Sequence, residues 1–417
     1  MNSRQRVSAA LNHRKPDKCP VDFGATPVTG IAAGLVYRLR QHFKLADLPV
    51  RVSDPYQMLG DVDEELGNLL QTDVVTIIQR HNLLGLENKD WKSWRTFDGT
   101  PVLVPGQFNT EPDNKGDILM YAGGDKSYPP NAVMPKGGFY FDAIIRQKPI
   151  DEDNLDVNDN LEEFTLLDDE SLRLIESQIN HLFCNTEKAI VSSPGTSALG
   201  DIALVPGPML KDPKGIRDIE EWYVSTLTRK DYLKELFDRQ TDIALQNFKL
   251  FRQAVGDKIT AIYLCGNDFG TQRAPMCSVE LFRELYLPYY QKMTEWIHRN
   301  TPWKVFKHSC GSIEPLIGSF IDAGFDILNP VQCSAENMDP QLLKDKYGKQ
   351  IVFWGGGIDT QKTLPFGTPE EIMDEVKNRI RIFNQEGGFV FSTVHNAQAN
   401  IPVGNFVSML NALNKYR

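Results

Sequence analysis

The chain is short of positive charge. Its 417 residues carry 45 Lys and Arg against 55 Asp and Glu, a net charge of −10, and no block of basic residues long enough to form a stripe. A nucleic-acid groove needs such a stripe to displace counterions, so that class of function is set aside. Long hydrophobic runs are also missing. Nothing approaches the ~20 apolar residues that span a bilayer, and the opening MNSRQRVSAALNHRKPDKCP lacks the apolar centre of a signal peptide. The expectation is a soluble, cytoplasmic protein without a membrane or nucleic-acid partner. Cysteine is sparse: six residues, irregularly spaced and without a Cys-x-x-Cys pair, which excludes a disulfide scaffold and points to reduced thiols. No Gly-x-Gly-x-x-Gly follows the first strand signal and no Gly-Lys-Ser/Thr loop occurs, so nucleotide-binding open sheets lose support.

What is present is alternation. Continuous apolar runs at 19–23, 72–78, 189–193, 259–266, 303–308, 325–330, 350–356 and 389–394 read as buried strands. Between them, three- and four-residue periodicity predicts helices over 30–43, 54–71, 169–185, 215–255, 278–300, 312–323, 339–347 and 369–386. A short helix over 3–12 precedes the set and one over 404–416 ends it. Eight strands alternating with helices imply βαβ units closed into an α/β TIM barrel, (β/α)8, in one domain over 1–417. The exception is the N-terminal third, where residues 91–143 are rich in Gly, Pro, Asn and Asp. Short alternating segments and an Asp98-Gly99 hairpin signal there predict an antiparallel β insertion. The acidic stretch 151–163 reads as a solvated linker, so that 91–165 forms an inserted β-rich subdomain with its linker.

In a parallel barrel the chemistry sits where the strands end. Asp22, Asn267 and Asp268, His308 and Cys310, Asn329 and Gln332, Gly355 to Asp359, and His395 with Asn396 all fall there. Lys307-His308-Ser309-Cys310 offers imidazole nitrogen and thiolate sulfur, the preferred donors for Zn2+, from one strand end. The pair is incomplete, and His395 after the last strand is the best-placed third ligand; the alternative is a structural His beside a buried thiol. Because Gly311-Ser312-Ile313 reads as a helix start, Cys310 could instead be a nucleophile shifted toward thiolate, although no Asn or Asp can be assigned to orient its His. Asp268 could serve as a general base or substrate anchor, or simply cap its loop. The glycines after Trp354, Gly356 among them, would let the backbone approach a ligand, or would only make a tight turn. Asp22, Asn267, Gln332, Trp354, Gly356 and Asp359 complete the candidate substrate-binding set.

Four segments carry a resemblance: RVSAALNHRKPDKCPVDFG (6–24), GNDFGTQ (266–272), HSCGSIEPLIGSFIDAGFDILNPVQ (308–332) and GGIDTQKTLPFGTPEEI (356–372). They resemble the uroporphyrinogen decarboxylase-like superfamily, and within it the branch of corrinoid-dependent methyltransferases. The resemblance implies a (β/α)8 barrel. It also implies a zinc held by a His-x-Cys pair and a later Cys, and a methyl group delivered by a small corrinoid-binding partner protein. His308 and Cys310 match the first two ligands; the third position here is His395, not Cys. The decarboxylases of the superfamily carry a His at that position, but also an Arg-rich signature after the first strand. DFGATPVTGIAAG (22–34) contains no Arg. The expected function is zinc-dependent methyl transfer with Asp268, Cys310 and His395 as catalytic residues. Decarboxylation of a tetrapyrrole or related acid is the alternative, and a non-enzymatic corrinoid- or tetrapyrrole-binding protein a third reading.

Overall fold

Seven of the apolar runs form one parallel sheet in the computed structural model, which describes residues 1–195 and 197–417. The strands are β1 (Val74–Val75), β2 (Ala189–Ser192), β3 (Ala261–Cys265), β4 (Lys304–His308), β5 (Ile327–Asn329), β6 (Val352–Trp354) and β7 (Phe389–Val390). Their order in the sheet is their order in the chain, and each pairs in parallel with the next. Helices make the crossovers, as parallel pairing requires. The first run supplies only a single bridging residue: Val21 pairs with Phe391, and the Asp73 amide donates to the Val21 carbonyl at 2.7 Å. Through Val21 the two edges of the curled sheet meet, and the architecture is TIM-barrel-like.

Side-chain alternation sorts the residues of each strand. Val74, Val191, Ala261, Phe306, Ile327, Val352, Trp354 and Val390 form the interior cluster, and the N-terminal helix Ser3–Leu11 adds Val7, Ala10 and Leu11. That helix plugs the amino-terminal end, where the Gly388 amide bonds the Ala10 carbonyl. Because Phe306 faces inward, His308 two residues later also faces inward, at the opposite end. Lys307 points the other way, and its ammonium lies 5.0 Å from the ring of Phe269 and 5.7 Å from that of Phe320.

The N-terminal third departs from the expected helix over 54–71. Residues Val50–Asp54 and Leu59–Gly60 are strands, and only Glu64–Leu69 is helical, capped by the Asp63 carboxylate. The reason is local: the Asp54 side chain accepts the amides of Tyr56 and Gln57, closing a turn around Pro55 that breaks the helix before it begins. These strands join Ile31–Ala32, Lys92–Arg95 and Pro101–Val104 in a five-stranded mixed sheet. A separate antiparallel sheet holds Ile118–Met120, Ala132–Met134 and Asp142–Ala143. The Asp98-Gly99 turn joins Lys92–Arg95 to Pro101–Val104, with Gly99 at φ +83°. The acidic stretch is less solvated than its composition suggests. Asn160 is buried and bonded to the Ile216 backbone, and Glu163 forms a buried ion pair with Arg217 at 2.7 Å. No helix among the described residues is long and apolar enough to cross a membrane.

Candidate metal centre

Three loops at the carboxyl ends of β3, β4 and β5 are laced into one body. The Ser309 hydroxyl accepts the Phe269 amide (2.9 Å), the Ser312 amide donates to the Thr271 carbonyl (2.7 Å), and the Gln332 side chain accepts the Gly311 amide (2.8 Å). Such closeness needs glycine on both sides. Gly311 sits at φ +88°, and a Cβ there would fall 2.4 Å from the Gly270 backbone. From below, the buried Lys307 ammonium donates to the carbonyls of Asn267 and His308, both at 2.7 Å. These bonds hold the end of β4 rigidly against its neighbour.

On that base His308, Cys310 and His395 converge. Their ligand atoms all lie within 4.8 Å of one another, and among the described residues no other group of three or more potential metal ligands does so. His308 Nε2 is 3.3 Å from Cys310 Sγ. His308 Nδ1 is 2.6 Å from Asn329 Oδ1, while Asn329 Nδ2 donates to the Trp354 carbonyl. Since Asn329 is oriented by its own donor, its oxygen must accept from His308. The Nδ1 proton is thereby fixed, and the Nε2 lone pair faces the thiol, as in a metal-ready histidine. His395 is arranged differently: its Nδ1 accepts the Asn396 amide N–H at 2.8 Å. Asn396 in turn accepts from the Gly30 amide and donates to the Pro27 carbonyl and the Gln57 side chain, pinning the end of the last strand. Nitrogen, sulfur and nitrogen donors at this separation fit Zn2+.

Burial dominates the electrostatics. It lowers the His308 pKa, and it lowers that of His395 to about 4, with the neighbouring His308 adding to the effect, so both rings are neutral at pH 7. Burial, then the Asp268 carboxylate, raises the Cys310 thiol well above its ordinary range. This corrects the expectation of a helix-activated thiolate. The helix begins at Glu314, its cap residue is Ile313, and Gly311 takes a left-handed turn before it. The thiol is therefore not at a helix terminus.

Asp268 lies beside His308 and Cys310, with Oδ1 3.5 Å from His308 Nε2 and 2.7 Å from the Cys310 amide that donates to it. Two residues that sequence reasoning passed over lie beside it. Asp201, in the loop after β2, is raised to about 6 by burial, with Asp268 contributing in the same direction. Tyr263 of β3 brings its hydroxyl to the same spot: a Cβ on Gly266 would fall 2.6 Å from that hydroxyl and 2.8 Å from the Asp201 carboxylate. No motif marks Asp201. Asn329, the partner of His308, was legible only as a polar residue at a strand end.

The other expected substrate-binding residues turn toward the protein. Asp22 is wholly buried and accepts the Trp354 indole N–H at 2.9 Å, and Trp354 itself is an interior residue with no exposed surface. Asn267 donates to the Leu199 carbonyl and accepts the Tyr290 hydroxyl, and Gln332 is engaged by Gly311. Asp359 closes its own turn by accepting the amides of Gln361 and Lys362. Gly356, at φ +79°, packs so that a Cβ would meet the Val331 carbonyl at 2.5 Å. The glycine run serves the closeness of its own loops.

The profile of the uroporphyrinogen decarboxylase (URO-D) family matches residues 209–416, the part of the chain that carries β3 to β7 and all three converging residues. Among solved structures, 47 chains match. One of them, a methyltransferase from Methanosarcina mazei, has a TM-score of 0.55 at 14% identity, covering 100% of this chain and 99% of its own. No curated protein matches the chain in sequence. At that identity the structural likeness speaks for the fold.

Proposed function

We propose that this chain, which belongs to the uroporphyrinogen decarboxylase-like superfamily, is a zinc-dependent methyltransferase. It would move a methyl group between a corrinoid carried on a small partner protein and a small acceptor or donor. The observation that carries this reading is the convergence of His308, Cys310 and His395 within 4.8 Å at the carboxyl end of the sheet. These three residues would hold the zinc. Bound there, zinc supplies Lewis-acid chemistry that favours the deprotonated form of a nucleophile at neutral pH.

The chain's own residues prepare that chemistry. Asn329 keeps the proton of His308 on Nδ1, so that Nε2 is free without rearrangement. Cys310 must release its proton on loading, and the Asp268 carboxylate fixes the Cys310 backbone by accepting its amide at 2.7 Å. His395 needs its proton on Nδ1 to ligate through Nε2, which sacrifices the bond from the Asn396 amide, a loss of about 0.5–1.5 kcal/mol. Metal affinity should therefore fall with acidity, because both His and Cys must be unprotonated to ligate.

Metal analysis of protein purified with zinc tests the reading. Wild type should carry one zinc per chain, and His308→Ala and Cys310→Ser should lose it; wild type without stoichiometric zinc sinks the proposal. Methyl transfer from methylcobalamin to a thiol acceptor, dependent on that zinc, is the accompanying activity assay. The match to the URO-D profile over 209–416 favours a second reading, decarboxylation of a tetrapyrrole or related acid. Incubation with uroporphyrinogen separates the two, since only the second yields products with fewer carboxylates.

A further inference from the structure

The mouth of the sheet is closed on one side and open on the other. Asp22, Asn329, Trp354 and Ser392 are wholly buried, whereas Thr76, Ser193 and Tyr263 are each partly exposed. The last three stand two residues beyond the interior side chains Val74, Val191 and Ala261, so alternation turns them inward as well. The open part of the mouth therefore lies over β1 to β3, next to His308 at the end of β4. Within it Tyr263 has a polar end with no partner. Its ring packs on Phe306, centroids 5.5 Å apart, but no described residue bonds its hydroxyl.

Asp201 brings a second acceptor to the same place. Its Oδ1 takes the Ala203 amide at 3.0 Å, which leaves Oδ2 unbonded. A Cβ on Gly266 would stand 2.6 Å from the Tyr263 hydroxyl and 2.8 Å from Asp201 Oδ2, so both oxygens border one small space. Gly266 does not have a left-handed backbone that would call for glycine; what it supplies is room. The charge around this space is of one sign. The ionisable groups that act on the Tyr263 hydroxyl are Asp201, Cys265, Asp268 and Cys310, none of them basic. The cation that acts on Asp201 is Lys307, whose ammonium is already held by the carbonyls of Asn267 and His308 on the outer face of β4. Two acceptors, one of them a carboxylate, fit a hydrogen-bond donor that carries positive charge and repel an anion.

We propose that Tyr263 and Asp201 set the substrate specificity of this site by receiving an ammonium group, so that the methyl acceptor is a small amine-bearing nucleophile. The inference rests on the zinc reading above and names the substrate class of the same site. It gives the room above Gly266 a use: the ammonium sits between the phenol and the carboxylate while the reacting atom reaches the metal. Polycarboxylates are excluded by the same charge.

Three thiols that share a metal-binding sulfur and differ in the tail test it: cysteamine (cationic), β-mercaptoethanol (neutral) and mercaptoacetate (anionic). Full-length protein loaded with Co2+ reports sulfur binding through its thiolate-to-cobalt absorption, and each Kd is expressed for the thiolate form. Wild type should bind cysteamine at least about 10-fold more tightly than β-mercaptoethanol, the worth of a hydrogen bond to a charged group, and mercaptoacetate more weakly than either. Asp201→Asn keeps an oxygen for the Ala203 amide and should erase the preference for cysteamine. Tyr263→Phe should reduce that preference severalfold, and Gly266→Ala, whose methyl fills the space, should weaken cysteamine more than the other two. The cobalt spectrum of each variant without thiol should match wild type, which separates loss of the contact from loss of the metal site. Equal affinity for the three tails in wild type, or tightest binding of the anion, overturns the inference and leaves the zinc reading standing. A preference for cysteamine that survives in both Asp201→Asn and Tyr263→Phe comes from chelation of the metal by the amine and overturns it as well. If wild type takes up no metal, the zinc reading itself falls.

Discussion

Replacing Asn329 by Ala isolates the one interaction that makes His308 ready for a metal. Asn329 is fully buried, receives His308 Nδ1–H at 2.6 Å, and donates to the Trp354 carbonyl at 2.9 Å. Truncation leaves two buried polar groups unpaired, about 1–3 kcal/mol each, and frees the imidazole to choose either proton position. Loss of a partner that orients a metal-ligating His lowers affinity by about 10–100-fold, or about 1.4–2.7 kcal/mol. At fixed free zinc the stabilisation conferred by binding falls by the same amount. With an unfolding entropy of about 2.1 cal/mol/K per residue over 417 residues, the zinc-induced rise in Tm should shrink by about 2–3 °C. Calorimetry of wild type and variant, each with zinc and with chelator, reads this double difference and removes the metal-free destabilisation. Asn329→Asp keeps an acceptor for His308 and should retain most of the affinity. If Asn329→Ala binds zinc as tightly as wild type and gains the same Tm on loading, the argument from the His308 proton is wrong.

Two further expectations concern the frame. Burial raises the Asp22 pKa to about 6, so between roughly pH 4 and 6 the folded chain keeps a proton that the unfolded chain releases. Its contribution to stability is full below pH 4 and is lost as pH rises through 6, a change on the order of 3 kcal/mol. Asp22→Asn preserves an acceptor for the Trp354 indole and should flatten that slope, as read by denaturant unfolding at pH 4 to 7; equal slopes in the two proteins would refute it. Gly311→Ala forces a Cβ to within 2.4 Å of the Gly270 backbone at φ +88°. It should destabilise the protein by about 2 kcal/mol or more and weaken metal binding with it; a variant as stable as wild type in thermal unfolding would show that the loops can separate.

The alternation of strands and helices from Asp169 onward was legible because local signals there agree: the cap at Thr368, the run ITAIYLC, the glycines closing helices. Residues 54–71 were not, because their apolar spacing fits a helix, whereas an Asx turn at Asp54 and pairing with Ile31–Ala32 decide for strands. The first run, too, contributes a single bridge at Val21 where a full strand was expected.

The same division holds for the site. His308 and Cys310 stand two residues apart at a strand end, so the sequence alone could put them together. Period-two alternation then puts His308 inside and Lys307 outside. His395 could be nominated from its place after the last strand. That its ligand atom lies within 4.8 Å of the pair, that Asn329 bonds the imidazole, and that Asp201 and Tyr263 lie beside Asp268 follow from how separate strand ends meet across the mouth. Covalent spacing fixes neighbours within a strand. Which side chains from different strands share a few ångströms depends on sheet curvature and on loops laced through glycine, and those are properties of the packed whole.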